Sequence, residues 1–225
     1  MKLALGIVLA ALALSACSTE NSIPEELLMS IPVTGGELNA IRGGDLCDVE
    51  STSGPVVLFL HGASFNANTW VETGTHKLLC EVGLPSLSID LPGFGKSPRF
   101  EHDPTQLLDE VVAFIADDVV LVSPSMSGSY SLPWLATNPG SAAGFVPIAP
   151  VGIGGWSTPD GFAVPTRGIW GSTDSVVPVA DGRRLISSID GADLIVIEGG
   201  GHAVYMTNPG DFHAAFIDFV QGLSR

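Results

Sequence analysis

Val119-Val120-Leu121-Val122-Ser123-Pro124-Ser125-Met126-Ser127-Gly128 passes from an unbroken apolar run straight into a cluster of small residues. The apolar half reads as a strand buried on both faces, and residues 126–136 read as a helix. A chain that turns so sharply from strand to helix crowds itself. It holds the residue at the corner, Ser125, in a strained conformation with its side chain exposed, and needs small residues two before and two after. Ser123 and Ser127 hold those two positions, where glycines are commoner. Taken alone, the segment fits a serine-rich N-cap of an ordinary helix equally well.

Outward from this corner the same alternation repeats. Val56-Val57-Leu58-Phe59-Leu60 is a second continuous apolar run, followed by a helical pattern over 70–81 and a strand over 84–89. Asp103-Pro104-Thr105-Gln106 predicts a helix start, with Asp as N-cap, Pro at the first helical position and Gln completing a capping box. Residues 145–148, 166–170 and 194–197 supply three more strands, and 179–188 and 209–221 two more helices. Strand, helix, strand order predicts an α/β fold: a doubly wound, mostly parallel sheet with helices on both faces. Such sheets bind ligands beyond the carboxyl ends of their strands.

Three loops at those ends bring Ser, Asp and His in that chain order. Ser125 is the candidate nucleophile, Asp174 in Gly171-Ser172-Thr173-Asp174 the orienting carboxylate, and His202 after Gly199-Gly200-Gly201 the base. Singly, Asp174 fits a turn and His202 is ambiguous; the ordered trio is what discriminates. The developing oxyanion needs donors, assigned to the backbone N–H groups of Met126 and Ala63 in the loop His61-Gly62-Ala63-Ser64. His61 reads as a structural residue of that loop, and Ser64 as lining the entrance. Trp134, Trp156, Phe162 and Tyr205 are candidate substrate walls, although aromatic residues beside core strands also fit packing. Residues 149–165 are too few for a cap domain, which predicts a shallow or open pocket. No cofactor is implied, and no cysteine or histidine spacing suggests a metal.

Composition bounds the rest. Apolar residues form 45% of the 225-residue chain and charged residues 15%, enough for one large core and too apolar for disorder. The formal net charge of −15 excludes a phosphate-backbone binder, so no nucleic-acid partner is expected. Residues 3–14 are an apolar stretch after Lys2, shorter than the roughly 18–20 residues of a membrane span. With Leu14-Ser15-Ala16-Cys17 it resembles a bacterial lipoprotein signal. The expected organisation is a signal peptide over 1–16, a lipidated Cys17 with a tether to residue 35, and one domain over 36–225. Cleavage would remove one lysine and take the net charge to −16. The expected location is the bacterial cell envelope, with the membrane as partner through Cys17. Cys47 and Cys80 read as buried free thiols, though an oxidising compartment would permit a bridge.

The motifs Leu58-Phe59-Leu60-His61-Gly62, Ile89-Asp90-Leu91-Pro92-Gly93-Phe94-Gly95-Lys96-Ser97, SPSMSGSYSL at 123–132, GFVPIAP at 144–150 and Gly199–His202 together resemble the alpha/beta-hydrolase domain-containing protein fourteen family. The similarity runs over about residues 36–223. It implies an alpha/beta-hydrolase fold, accounts for serines at the glycine positions, and places the family triad on Ser125, Asp174 and His202. It implies hydrolysis of small activated acyl esters. For one family member it also implies transfer of acetyl groups from protein lysines to coenzyme A, which an envelope lipoprotein would rarely meet, so water is the expected acceptor. Acyl transfer to another acceptor, or a catalytically silent binding module on the same fold, are the alternatives.

Overall fold

The computed structural model describes residues 23–44, 46 and 52–223. Among these residues eight strands form one sheet: β1 (Leu28–Val33), β2 (Gly36–Arg42), β3 (Val56–Phe59), β4 (Ser86–Ile89), β5 (Val119–Pro124), β6 (Gly144–Ile148), β7 (Arg167–Gly171) and β8 (Asp193–Ile197). Their order across the sheet is β1-β2-β4-β3-β5-β6-β7-β8. The β1–β2 and β2–β4 pairings are antiparallel, and all later ones parallel. Among the described residues seven helices accompany it: α1 (Thr69–Glu72), α2 (Thr75–Glu81), α3 (Pro104–Ile115), α4 (Gly128–Thr137), α5 (Val179–Ser187), α6 (Val204–Thr207) and α7 (Pro209–Leu223).

Side chains alternate across a strand, so each central strand feeds two cores. Leu58, Leu60, Val119 and Leu121 join the cluster packed by Leu107, Leu108 and Val111 of α3 and by Leu132 and Leu135 of α4. Val57, Phe59, Val120 and Val122 join Trp70, Phe212, Phe216 and Val220 on the other face. This is why those strands read as continuous apolar runs. The chain goes from β3 to its neighbour β4 on one side, then crosses to β5 on the other. The loops after β3 and β5 therefore flank the point where the winding reverses, the usual ligand crevice of such a sheet.

Three expectations change. The tether expected up to residue 35 is wrong over its described part: a 3-10 turn (Glu25–Leu27) and β1 lie there, and Leu27 and Ile31 are buried. The hairpin turns through Thr34 and Gly35 (φ 93°), and Glu110 of α3 accepts from both the N–H and the hydroxyl of Thr34. Pro32 is tolerated because β1 is an edge strand. The helix expected over 70–81 is two, broken at Gly74, whose φ of 75° is left-handed. Asp103 does cap α3, accepting from the N–H groups of Thr105 (3.0 Å) and Gln106 (2.9 Å). The Gln106 amide, however, donates forward to Glu110 at 2.8 Å and does not close a capping box.

The thiol expectation also fails, since Cys80 is disulfide-bonded. The other two cysteines, Cys17 and Cys47, lie outside the described residues. Spacing along the chain says nothing about the distance a bridge requires. Here the end of α2 packs under the turn at residues 43–44, with the Cys80 Sγ 3.1 Å from the Gly44 carbonyl oxygen.

His76 of α2 gives a pH prediction. Its ring is fully buried, with Nδ1 2.8 Å from Ser86 Oγ and Nε2 2.9 Å from Ser88 Oγ, and burial lowers its pKa to about 3. The folded value lies below the unfolded one (~6.5), so the neutral ring is accommodated above that pH and stability is lost as pH falls towards the folded value. Each pH unit across that window costs up to about 1.4 kcal/mol. Thermal unfolding of His76→Gln between pH 7 and 4 is expected to show a slope shallower than wild type by about one proton. Parallel curves would refute the assignment.

Candidate active site

Ser125 sits at the corner between β5 and a 3-10 turn, Ser125–Ser127, that leads into α4. Its φ is 49°, a left-handed value rare for a residue with a side chain, so the corner carries the expected strain. Ser123 and Ser127 are fully buried, and their hydroxyls lie 3.1 Å apart. Ser123 also meets Ser131 Oγ at 2.7 Å, and Ser127 donates to the Pro124 carbonyl at 2.8 Å. Serine serves where glycine is common because each hydroxyl finds a partner in the crowded turn. At Gly128 no side chain fits: a Cβ there would stand 2.3 Å from the Val151 carbonyl oxygen. That close approach lets the Val151 N–H donate to the Ser125 carbonyl at 2.8 Å.

The loops after β7 and β8 are joined to each other. Thr173 donates to the Gly200 carbonyl through both its N–H (2.9 Å) and its hydroxyl (2.8 Å), and the Gly199 N–H donates to Ser172 Oγ at 2.9 Å. A Cβ on Gly171 would stand 2.3 Å from the carbonyl oxygens of both Gly200 and Gly201, so bare backbone is required at this junction. The junction brings Asp174 to His202. The Asp174 Oδ2 lies 2.8 Å from His202 Nδ1, while Oδ1 accepts from the N–H groups of Val176 (2.8 Å) and Val177 (2.9 Å). The Asp174 side chain is 0% exposed and that of His202 24%. Proton donation from Nδ1 to this carboxylate leaves Nε2 as an acceptor, 2.7 Å from Ser125 Oγ. Three residues from three distant loops thus form one hydrogen-bonded line, with an imidazole placed to take a proton from a strained serine.

The loop after β3 closes the other side. The Cβ position of Gly62 is 3.6 Å from the Ser125 Cβ, and the next two residues, Ala63 and Ser64, are exposed. Among the described residues, neither the Ala63 nor the Met126 N–H donates to a turn, loop or cap carbonyl. His61 fixes this loop. Its Nε2 accepts from the Leu91 N–H at 3.0 Å, so Nδ1 carries the proton and donates to the Gly62 carbonyl at 2.9 Å. Burial lowers its pKa and keeps it neutral, outweighing the opposing effects of that carbonyl and of Asp90. Asp90 is structural too. It accepts from the N–H groups of Ala67 (2.7 Å) and Lys96 (2.8 Å) and from the Asn39 amide (2.9 Å). Gly95 is bare because a Cβ would stand 2.2 Å from that carboxylate.

The expected substrate walls fare less well. Tyr205 is a core residue, stacked on Trp70 at 5.0 Å; only its hydroxyl reaches towards Gly62, 3.5 Å from the Cβ position there. Trp134 is buried and donates to Asp109 at 2.7 Å. Trp156 packs edge-on to Phe162. It walls a groove of about 310 Å³ along α4 whose lining includes none of Ser125, Asp174 and His202. Its buried indole N–H has no hydrogen-bond partner. Size and aromaticity did not distinguish packing from substrate contact at these positions. The Val176 and Val177 N–H groups that hold Asp174 were overlooked, although an Asp two or three residues before free N–H groups is a common turn signal.

The sequence matches the Alpha/beta hydrolase family over residues 57–171. Protein ABHD14A of Mus musculus is 37% identical over 175 residues, covering 74% of this chain and 70% of that protein. The Homo sapiens protein named "Putative protein-lysine deacylase ABHD14B" is 35% identical over 178 residues, covering 74% and 83%. Among solved structures, a "predicted CIB-like hydrolase" from Thermoplasma acidophilum superposes with a TM-score of 0.70 at 26% identity, covering 87% of this chain and 97% of that one. The expected bacterial envelope location, with a lipid on Cys17, is overturned: these relatives, which match 74% of the chain, are vertebrate ABHD14 proteins. Among the described residues no helix is long and apolar enough to cross a membrane. The eight-stranded sheet with its helices on both faces, together with these identities, makes the chain a member of the ABHD14 family of alpha/beta hydrolases.

Proposed function

We propose that the chain is a serine hydrolase that cleaves small acyl esters or amides through an acyl-enzyme on Ser125. The observation that carries this reading is the hydrogen-bonded line from Asp174 through His202 to Ser125, at 2.8 and 2.7 Å. In it, His202 Nε2 takes the hydroxyl proton as Ser125 Oγ attacks the acyl carbon, and Asp174 steadies the imidazolium. The N–H groups of Ala63 and Met126 hold the oxyanion, each such donor being worth roughly 2.7–4 kcal/mol of barrier. His202 returns the proton to the leaving group, and an acceptor then takes the acyl group by the same steps reversed.

Water is the simplest acceptor. Lysine deacylation is a second reading, favoured by the name of the human relative and by the lack of a cap above Ser125: residues 149–166 hold one 3-10 turn, Ile153–Gly155. The envelope location that argued against it no longer stands. Intact-mass analysis after fluorophosphonate treatment is the test, read together with hydrolysis of p-nitrophenyl acetate between pH 6 and 9. One adduct, mapped to the peptide holding Ser125, is the expected result. No adduct and no hydrolysis across that range would leave the silent binding module in its place.

A further inference from the structure

Tyr205 carries a hydroxyl that the fold does not use. Its ring belongs to an aromatic cluster: it is 2% exposed, stacked on Trp70 at 5.0 Å and set edge-on to Phe65 at 5.6 Å and to Phe212 at 6.1 Å. The polar tips of comparable buried rings are paired. The Trp70 N–H donates to the Leu60 carbonyl at 2.9 Å, both nitrogens of His76 meet serine hydroxyls, and the other tyrosine, Tyr130, has His102 Nε2 at 2.9 Å. Among the described residues the Tyr205 hydroxyl has no such partner, and it is not sealed from solvent. Buried polar groups almost always find a partner, so one held rigid without any points to a ligand.

The hydroxyl is held beside Ser125. One point, the Cβ position of Gly62, lies 3.5 Å from the Tyr205 hydroxyl oxygen, 3.6 Å from the Ser125 Cβ and 3.4 Å from the Phe65 ring, and glycine leaves that space open. The Gly62 carbonyl is not the missing partner, because it already accepts from His61 Nδ1 (2.9 Å) and from the Phe65 N–H (3.0 Å). Burial raises the Tyr205 pKa, so the group stays a neutral donor.

Acylation leaves one acceptor for it. As Ser125 Oγ bonds to the acyl carbon, the carbonyl π pair moves onto the acyl oxygen. On collapse that pair returns and the bond to the leaving atom breaks. The leaving atom takes from His202 the proton that came from Ser125, so it must face His202 Nε2. A small acyl group then offers no acceptor but its own oxygen. We infer that Tyr205 is a catalytic residue whose hydroxyl donates to the acyl oxygen as charge develops there, beside the main-chain donors proposed at Ala63 and Met126. Its proton stays on the tyrosine throughout. This rests on Ser125 being the nucleophile, and it gives the site a donor that one substitution can delete.

Tyr205→Phe removes that oxygen and keeps the stacked ring. Its kcat/KM on p-nitrophenyl acetate is expected to fall about 10²-fold, as for one lost oxyanion donor. Trifluoroacetone, which adds to a nucleophilic serine as a charged hemiketal, is expected to bind about 10²-fold more weakly, in step with kcat/KM. Thermal unfolding should match wild type, since the fold loses no hydrogen bond, and a single fluorophosphonate adduct on Ser125 should still form. Intact labelling with kcat/KM and ketone affinity both within about twofold of wild type overturns the role of Tyr205 and leaves Ser125 as nucleophile. So does a fall in turnover with ketone affinity unchanged, which is what loosened packing against Phe65 would give. A wild-type chain that neither labels nor hydrolyses the ester overturns both.

Discussion

Ser125→Ala is expected to lower kcat on p-nitrophenyl acetate by about 10⁶-fold and to abolish the fluorophosphonate adduct. The substitution removes one oxygen and keeps the Cβ, so the crowded corner with its φ of 49° is asked for nothing new. The buried hydroxyls of Ser123, Ser127 and Ser131 bond to one another and to Pro124, and none depends on Ser125 Oγ. Thermal unfolding close to that of wild type should therefore accompany the loss. Turnover within tenfold of wild type would show that another group attacks the substrate.

Asp174→Asn is expected to cost about 10⁴-fold in kcat. The carboxylate serves three donors: His202 Nδ1 on one oxygen, and the N–H groups of Val176 and Val177 on the other. An asparagine can keep the two valine N–H groups only by turning its carbonyl oxygen to them, which directs its NH₂ group at His202. The ring must then present Nδ1 as acceptor, and the proton moves to Nε2, where it blocks acceptance from Ser125. The structure around the site survives and the base does not. Steady-state kinetics on purified variant protein measures this, and a loss smaller than about tenfold would mean the carboxylate only braces the turn.

The candidate trio was legible because each member follows a strand of one parallel sheet, and a parallel sheet sends all such loops to one edge. Small residues at 123 and 127 and glycines at 199–201 marked where backbones were expected to approach closely; Ser123 and Ser127 are fully buried and a Cβ on Gly200 would stand 2.8 Å from Val204, whereas one on Gly199 or Gly201 would meet nothing within 4 Å. The β1–β2 hairpin was hidden by Pro32 and by half-polar strands, the second of which takes part of its register from a partner far along the chain, with Ala40 opposite Ile89. The break at Gly74 falls on a residue of poor helix propensity, and its left-handed φ of 75° is one that glycine permits. Tyr205 and Trp156 show the same boundary: aromatic character predicts burial well and orientation poorly. Export and lipidation rested on a local resemblance in residues 1–17, which lie outside the described residues; what ABHD14 kinship contradicts is the bacterial envelope location drawn from it.

The short stretch from β6 to β7 has a kinetic meaning. With one 3-10 turn between Ile148 and Arg167, it supplies no flap to swing shut over a bound molecule and none to lift before products go. Under the proposed chemistry, turnover would not wait on that segment to open or close, and bulky objects bearing an acyl group could be served at their periphery without being engulfed.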